Sequence, residues 1–406
     1  MKYVIILGDG MADYGCPELG NRTPLEYART PNMDFIASRG VMGLVRTVPD
    51  NFPPGSDVAN LSVMGYDPVK YYTGRSPLEA VSMGVKLEEQ DVAFRCNLVT
   101  LSEGGEYANK TMVDYSAGEI STLEARELIA EVNRKLADID KKYYAGVSYR
   151  HLMVWSDATA STVLTPPHDI SGKTITDHLP REEGAAILLD IMKKSNEILS
   201  SHPANTARRE KGMNTANSLW FWGQGKRPFL PKFTDKYGIR GAVISAVDLI
   251  RGIGICAGLE VVDVHGATGN IHTDFRGKAL AALATLRQGN DFVYIHIEAP
   301  DEAGHQGDLQ TKLKAIEEID EKVIGTLLGG MEEFEDYRLM VLPDHPTPMC
   351  TMTHATDPVP FAVCAKTAGV LRNVRYDEKN AAAGGMTFIK DGYTLMDKFI
   401  GDQFFR

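Results

Sequence analysis

The apolar positions along the chain follow two rhythms. Short continuous runs, which mark buried strands, alternate with stretches whose apolar residues recur at helical spacing. Tyr3 to Leu7 is such a run and predicts a first strand. TPNMDFIASRG, from Thr30 to Gly40, predicts a helix with Thr30 at its cap, Pro31 in its first turn and Gly40 at its stop. Gly43 to Val48 predicts the next strand. The loop Pro53-Pro54-Gly55-Ser56-Asp57 follows, and then an amphipathic run to Met64. The C-terminal part has the same character. It predicts helices over Gly241 to Ile253, Lys278 to Arg287 and Leu309 to Leu328. Its predicted strands are Glu260 to Val264, Asp291 to Ile297, Arg338 to Leu342 and Pro360 to Val363. Strand–helix alternation of this kind predicts an α/β fold with a mostly parallel sheet flanked by helices.

The middle of the chain breaks this rhythm. It holds DVAFRCNLVTL, a helical stretch from Thr122 to Ile139, YRHLMVW, and a helical stretch from Glu182 to Leu199. HPANTARREKGMN, between Ser200 and Thr215, is polar and reads as a loop. Residues 87–234 are therefore expected to form an inserted α+β domain. Residues 1–86 and 235–406 would form one discontinuous domain.

Composition narrows the possibilities. The chain has 406 residues, enough for two to three domains. With 43% hydrophobic and 24% charged residues it reads as a soluble globular protein. A net charge of −11 repels polyanions and argues against nucleic acid as a partner. It does not argue against a small phosphorylated substrate, because local arginines and metal ions can reverse the sign inside one cleft. The five cysteines are odd in number, widely spaced and free of any CxxC pair, which points to reduced thiols and a cytoplasmic location. The first apolar run is too short for a secretion signal, and no run of 18 apolar residues is present to span a membrane.

Three predicted strands end in acids. Asp9 follows VIILG, and Asp301 follows DFVYIHI with His305 four residues later. Asp344-His345 follows YRLMVLP, with His354 nine residues beyond His345. Open α/β sheets build their sites at the carboxyl ends of strands, so these groups are expected to converge. Asp301 and His305 are spaced for one face of a helix. Three carboxylates and three imidazoles suit Mn²⁺ or Zn²⁺ better than Mg²⁺. Ser56 is the candidate nucleophile, at a helix start where N–H groups can hold an anion. A serine before an amphipathic run is ordinarily an N-cap, and the acids and imidazoles are what raise Ser56 above that role.

Taken together, GDGMAD, ELGNRTPLEYARTPNMD, PPGSDVANLSVMGYDP, YYTGRSPLEA, DVAFRCNLVT, TPPHDISGK, GAVISAVDLIRGIG, GATGN, EAPDEAGHQGD and LPDHPTP make a specific set. Over essentially its full length the chain resembles the short, archaeal-type cofactor-independent phosphoglycerate mutases of the alkaline phosphatase superfamily. The resemblance implies an alkaline-phosphatase-like core and two divalent metal ions, Mn²⁺ first, with Mg²⁺, Zn²⁺ or Co²⁺ as alternatives. One ion would be held by Asp9, Ser56, Asp344 and His345, and the other by Asp301, His305 and His354. It implies that Ser56 takes the phosphoryl group of 3-phosphoglycerate as a phosphoserine and returns it to the neighbouring hydroxyl, while the inserted domain covers the site. Arg75, Arg95, Arg150, His168 and Asp169 lie in family-like stretches and are candidates to bind substrate, with Lys278 on weaker grounds. The variants SDVANLSVMG and FRCNLVT also resemble a bacterial branch proposed to act as homoserine kinases. That is the alternative reading, and it shares the same metal and serine positions.

Overall fold

The computed structural model describes residues 1–367, 373–383 and 387–405. Contacts divide the chain into two compact units: Met1–Tyr72 with Phe229–Arg406, and Thr73–Pro228. In chain order the strands are Lys2–Gly8 (β1), Val41–Val45 (β2), Val92–Leu101 (β3), Met112–Asp114 (β4), Lys141–Tyr144 (β5), Arg150–Trp155 (β6) and Ser218–Lys226 (β7). Then come Gly241–Ile244 (β8), Glu260–Val261 (β9), Phe292–Ile297 (β10), Tyr337–Leu342 (β11), Val359–Ala365 (β12) and Phe388–Ile389 (β13).

The first unit carries an eight-stranded sheet in the order β13-β2-β12-β11-β1-β10-β8-β9. Among the described residues β12 alone runs against its neighbours, and the other pairings are parallel. Helices cover the sheet, as the alternating pattern predicts. β1 is apolar throughout its interior because it lies mid-sheet and is buried on both faces. Register sets up the chemistry. Gly8 pairs with Ile297 of β10, and Leu7 pairs with Leu342 of β11, so three adjacent strands end at one level.

The second unit is an α+β assembly. β3 is its central strand, antiparallel to β4, β6 and β7, and β5 extends the sheet beyond β6. The helix Thr122–Leu136 buries Ala125, Leu128, Ile129 and Val132, the i, i+3, i+4, i+7 stripe of an amphipathic helix. The Ser121 hydroxyl accepts from the Glu124 N–H and donates to the Glu124 carboxylate, fixing the first turn.

Two local expectations are corrected. Gly241 to Ile253 is not one helix: Gly241–Ile244 forms β8, and the helix runs Asp248–Cys256. The four strand residues are too few to separate from a helical run by periodicity. The polar stretch after Ser200 contains a helix, Pro203–Glu210. Its inner face is made of Asn205 and Arg208, whose polar groups are satisfied internally. Asn205 Nδ2 donates to the Leu199 and Ala216 carbonyls, and Arg208 donates to Glu124, the Ala117 carbonyl and the Asn214 carbonyl. Thr30 does stand at the N-cap of the helix Pro31–Arg39 with Pro31 in the first turn, as read, but its side chain makes no cap bond. Asp320, 287–288 residues away, accepts from the N–H groups of Asn32 and Met33 instead. Asp320 lies on a π-helical turn, Ile319–Ile324, inside the long helical segment that begins at Leu309.

Candidate active site

The shared level of β1, β10 and β11 delivers one acid from each strand end. Asp9 follows β1 directly, and its N–H donates to the Ile297 carbonyl at 2.9 Å. Asp301 stands in the first turn of the helix Ala299–Gln306, which begins just past β10. Asp344 and His345 follow β11 after a single proline and are fully buried. Asp344 is held rigidly: Gly10 and His345 N–H groups donate to Oδ1 at 3.2 and 2.9 Å, and Asn60 Nδ2 donates to Oδ2 at 2.8 Å. Asn60 is fixed in turn by the Tyr294 hydroxyl, 2.6 Å from its Oδ1.

Ser56 is the first residue of the helix Ser56–Val63, and Gly55 occupies the cap position. The serine side chain is therefore not spent on its own helix end. Its Oγ lies 3.1 Å from His345 Nε2 and 3.5 Å from Asp9 Oδ2. His345 Nε2 is 3.4 Å from Asp344 Oδ2 and 3.6 Å from Asp9 Oδ1. Beside this group, His305 Nε2 lies 3.3 Å from Asp301 Oδ2, and His354 Nε2 lies 3.4 Å from Asp301 Oδ1. The His345 and His354 ring centroids are 4.0 Å apart with their planes tilted by 36°, so the two groups form one cluster. All seven residues read from the sequence as a metal and nucleophile set are thus brought together.

Electrostatics sets the requirement of this cluster. Burial, with Asp344 and Asp301 nearby, pushes the Asp9 carboxyl well above the carboxylate range. Burial also disfavours a charged His305, but its hydrogen bond and charge interaction with Asp301 outweigh that and hold it at about 9. Asp301 is held well below the usual range: burial opposes this, and His305 and His354 outweigh it. The group asks for positive charge, and Asp9 Oδ1 is buried with no hydrogen-bond partner. Ligand atoms of Asp301, His305 and His354 all lie within 4.8 Å of one another, as do those of Asp9, Asp301 and His345, and those of Asp9, His296 and Asp344. Oxygen and imidazole donors at this spacing fit divalent cations. His305 shows a further sign. Its Nδ1–H donates to the Met352 carbonyl at 3.0 Å, which orients the ring so that Nε2 faces the cluster.

Three contributors escape the sequence reading. His296 in β10 sits 2.9 Å from Asp9 Oδ2 through its Nε2. Its signal was one imidazole inside an otherwise apolar strand. Asn60 lies one turn beyond Ser56 and is fully buried. Thr347 donates to Asp301 Oδ1 at 2.5 Å and contacts His345 Nδ1 at 3.3 Å. Lys278 lies behind the cluster, where its Nζ donates to the His296 carbonyl at 3.0 Å. Burial lowers its ammonium to about 8 against the pull of Glu298.

The substrate candidates belong to the second unit. Glu79 accepts from Arg75 Nε at 2.9 Å and, very closely, from Arg95 Nη1. Burial pushes Glu79 up, but the two guanidinium groups outweigh it and hold the carboxyl below its usual range. Arg75 and Arg95 both lie over the Trp222 ring, at 5.7 and 5.5 Å, and His168 meets that ring edge-on at 5.2 Å. One carboxylate thus serves two guanidinium groups, and Arg95 Nε is buried without a partner. Arg150 is exposed, its guanidinium over Tyr149 at 5.4 Å, and Asn97 of β3 pairs with it in register. Asp169 is also exposed, 3.7 Å from His168 Nε2. Arg75, Arg95 and His168 therefore converge on Trp222, while Arg150 and Asp169 face solvent.

Residues 37–205 match the family model described as 2,3-bisphosphoglycerate-independent phosphoglycerate mutase. A protein of Geobacter sulfurreducens, named probable 2,3-bisphosphoglycerate-independent phosphoglycerate mutase, is 52% identical over 404 residues, covering 98% of this chain and all of that one. The mutase of that name from Methanothrix thermoacetophila is 52% identical, covering 96% of this chain and 97% of its own. Among solved structures, a Pyrococcus horikoshii protein superimposes with a TM-score of 0.80 at 30% identity, covering 98% of this chain and 97% of that one. The cofactor-independent phosphoglycerate mutase of Thermoplasma acidophilum gives a TM-score of 0.62 at 26% identity, covering 99% of each chain.

Proposed function

We propose, for a chain that belongs to the 2,3-bisphosphoglycerate-independent phosphoglycerate mutase family, that it interconverts 3-phosphoglycerate and 2-phosphoglycerate through a phosphoserine at Ser56. The observation that carries this reading is the placement of Ser56 Oγ, free of its own helix cap and within 3.5 Å of both His345 Nε2 and Asp9 Oδ2.

Asp9, Ser56, Asp344 and His345 would hold one divalent cation, and Asp301, His305 and His354 the other; we assign Mn²⁺ first. When bound, such a pair stabilises charge on the attacking and leaving oxygens of an in-line displacement. The chain's own groups do the rest. Ser56 Oγ gives up its proton and attacks phosphorus, and the bond from phosphorus to the substrate oxygen breaks. Glycerate leaves with a proton restored to that oxygen. Its other hydroxyl then loses its proton and attacks phosphorus, the bond from phosphorus to Ser56 Oγ breaks, and that proton regenerates the Ser56 hydroxyl. The N-terminal N–H groups of the helix Ser56–Val63 favour the phosphate's negative charge. In the second unit, Arg75, Arg95, Arg150, His168 and Asp169 are assigned to the carboxylate and hydroxyls of the substrate. Guanidinium forks suit such groups, and Arg95 Nε is buried with no hydrogen-bond partner.

The five cysteines are thiols outside any disulfide, which supports the assignment to a cytoplasmic setting. Among the described residues no helix is long and apolar enough to cross a membrane.

The test is a metal-reconstituted assay with two arms. One supplies 3-phosphoglycerate and detects 2-phosphoglycerate; the other supplies homoserine with ATP and detects phosphohomoserine. Turnover in the first arm is expected. Turnover confined to the second would replace the mutase reading with the homoserine kinase one.

A further inference from the structure

His296 lies one residue from the end of β10 and is fully buried. Its Nε2 is 2.9 Å from Asp9 Oδ2, and with Asp9 and Asp344 it makes a triad of ligand type within 4.8 Å. Distance alone would make it a cation ligand. The hydrogen bonding on the other side of the ring says otherwise.

His296 Nδ1 lies 3.2 Å from Ser245 Oγ, and Ser245 Oγ accepts the Val247 N–H at 3.0 Å. A serine hydroxyl has one proton to give, and Ser245 is buried. Val247 N–H occupies one lone pair of that oxygen, and among the described contacts His296 Nδ1 is the one acceptor for its buried proton, so the geometry points that proton at Nδ1. A neutral imidazole that accepts at Nδ1 carries its hydrogen on Nε2. The Asp9 side accommodates the same tautomer: with Asp9 ionised, as a cation ligand must be, Nε2–H donates to its Oδ2 at 2.9 Å. His305 shows the opposite case. There Nδ1 faces the Met352 carbonyl, which can only accept, so a hydrogen is on Nδ1 and Nε2 is the nitrogen that an ion would take.

We propose that His296 is a positioning residue and not a metal ligand. Ser245 fixes it as the Nε2–H tautomer, His296 donates to Asp9 Oδ2, and Asp9 is thereby turned so that its unpartnered Oδ1 faces the cation. The proposal rests on the reading of Asp9 as a cation ligand. It explains why Oδ2 is satisfied within the protein while Oδ1 of the same buried carboxylate has no hydrogen-bond partner.

The experiment uses the full chain loaded with zinc, which is diamagnetic and suits imidazole donors. Nitrogen-15 NMR of the histidine rings is expected to show His296 neutral, with its proton on Nε2; comparison with His296→Gln identifies the signal. A zinc-bound Nε2, or a proton on Nδ1, would overturn the proposal. Zinc affinity is then measured by chelator competition. Ser245→Ala is expected to weaken one of the two sites by about 10- to 100-fold, the range for loss of an outer hydrogen-bond partner, and Ser245→Thr to restore it. Unchanged affinity in Ser245→Ala counts against the proposal alone, provided the wild-type chain binds two zinc ions. A wild-type chain that binds none removes the metal-site reading itself, and this inference with it.

Discussion

The Nε2 atoms of His305 and His354 lie 2.9 Å apart, with the two oxygens of Asp301 3.3 and 3.4 Å from them. Two imidazole nitrogens and a carboxylate converging in this way are held together by a proton or by a cation. The cation version makes a direct prediction. His305→Ala should release one of two bound metal ions per chain and cut turnover by at least about 100-fold, more than loss of an outer partner does. Metal content and kcat measured on the same preparation check this. Chelation of the wild-type chain should abolish turnover, and added Mn²⁺ should restore it.

Ser56→Ala should reduce turnover by about 10⁴-fold or more, as loss of a covalent nucleophile does elsewhere. Rapid quenching of the wild-type chain with 3-phosphoglycerate should reveal a phosphorylated peptide containing Ser56, and the variant should show none. A phosphopeptide at another residue would remove Ser56 as the carrier.

Gly10 has φ +63, and a Cβ there would lie 2.6 Å from Thr347 Oγ1 and 2.8 Å from Asp301 Cα. Gly10→Ala therefore meets backbone strain and displaces the residue that carries Asp301. A loss of roughly 1–3 kcal/mol is expected from the conformation alone. Denaturant unfolding of the metal-free chain measures that loss, and reduced metal affinity in the refolded variant reports the shift of Asp301.

Arg75 and Arg95 share Glu79 but differ in burial, with side-chain exposures of 28% and 7%. Arg75→Met should raise KM for 3-phosphoglycerate by about 10-fold, the worth of one charge-assisted hydrogen bond, with a small change in Tm. Arg95→Met leaves more of Glu79 uncompensated inside the protein and should also destabilise the fold by about 3 kcal/mol. Equal Tm losses in the two variants would contradict this division.

Glu378 accepts from the Asp13 N–H and the Thr23 hydroxyl, and burial pushes its carboxyl up to about 7. A raised folded-state value means the native chain holds this proton more tightly than the unfolded one. The associated stability is complete below the unfolded value near 4.5 and is lost as pH rises through 7. The stability of the wild type relative to Glu378→Gln should therefore fall by roughly 2 kcal/mol between pH 5 and pH 8. Paired unfolding curves at the two pH values test both sign and size. A constant difference would show that Glu378 does not titrate there.

Much of this was legible in the sequence, and the reasons differ by residue. The α/β fold is readable because strands buried on both faces are written as apolar runs. Asp9, Asp301 and Asp344 are conspicuous because each interrupts the pattern where such a run stops. His296 was hidden by the same reasoning, since one imidazole inside an apolar run passes as strand filler. The helix Pro203–Glu210 was hidden because its buried face is Asn205 and Arg208, and apolar periodicity cannot register a polar interior. The cap that Asp320 provides for Pro31–Arg39 is a tertiary contact across 287–288 residues, beyond any local motif.

The position of β1 bears on how the chain is made. Its two neighbours in the sheet are β10 and β11, so Tyr3 pairs with Phe292 and Lys2 with Tyr337. A growing chain exposes an apolar N-terminal strand, with Asp9 and Ser56 behind it, long before its partners leave the ribosome. Residues 73–228 are contiguous and can complete their own sheet in that interval. The first unit must close last, across a large gap in sequence, which slows folding and leaves unpaired strand edges open to aggregation. The catalytic cluster is therefore among the last parts of the molecule to exist, and a chain truncated before Asp344 has the serine but not the site.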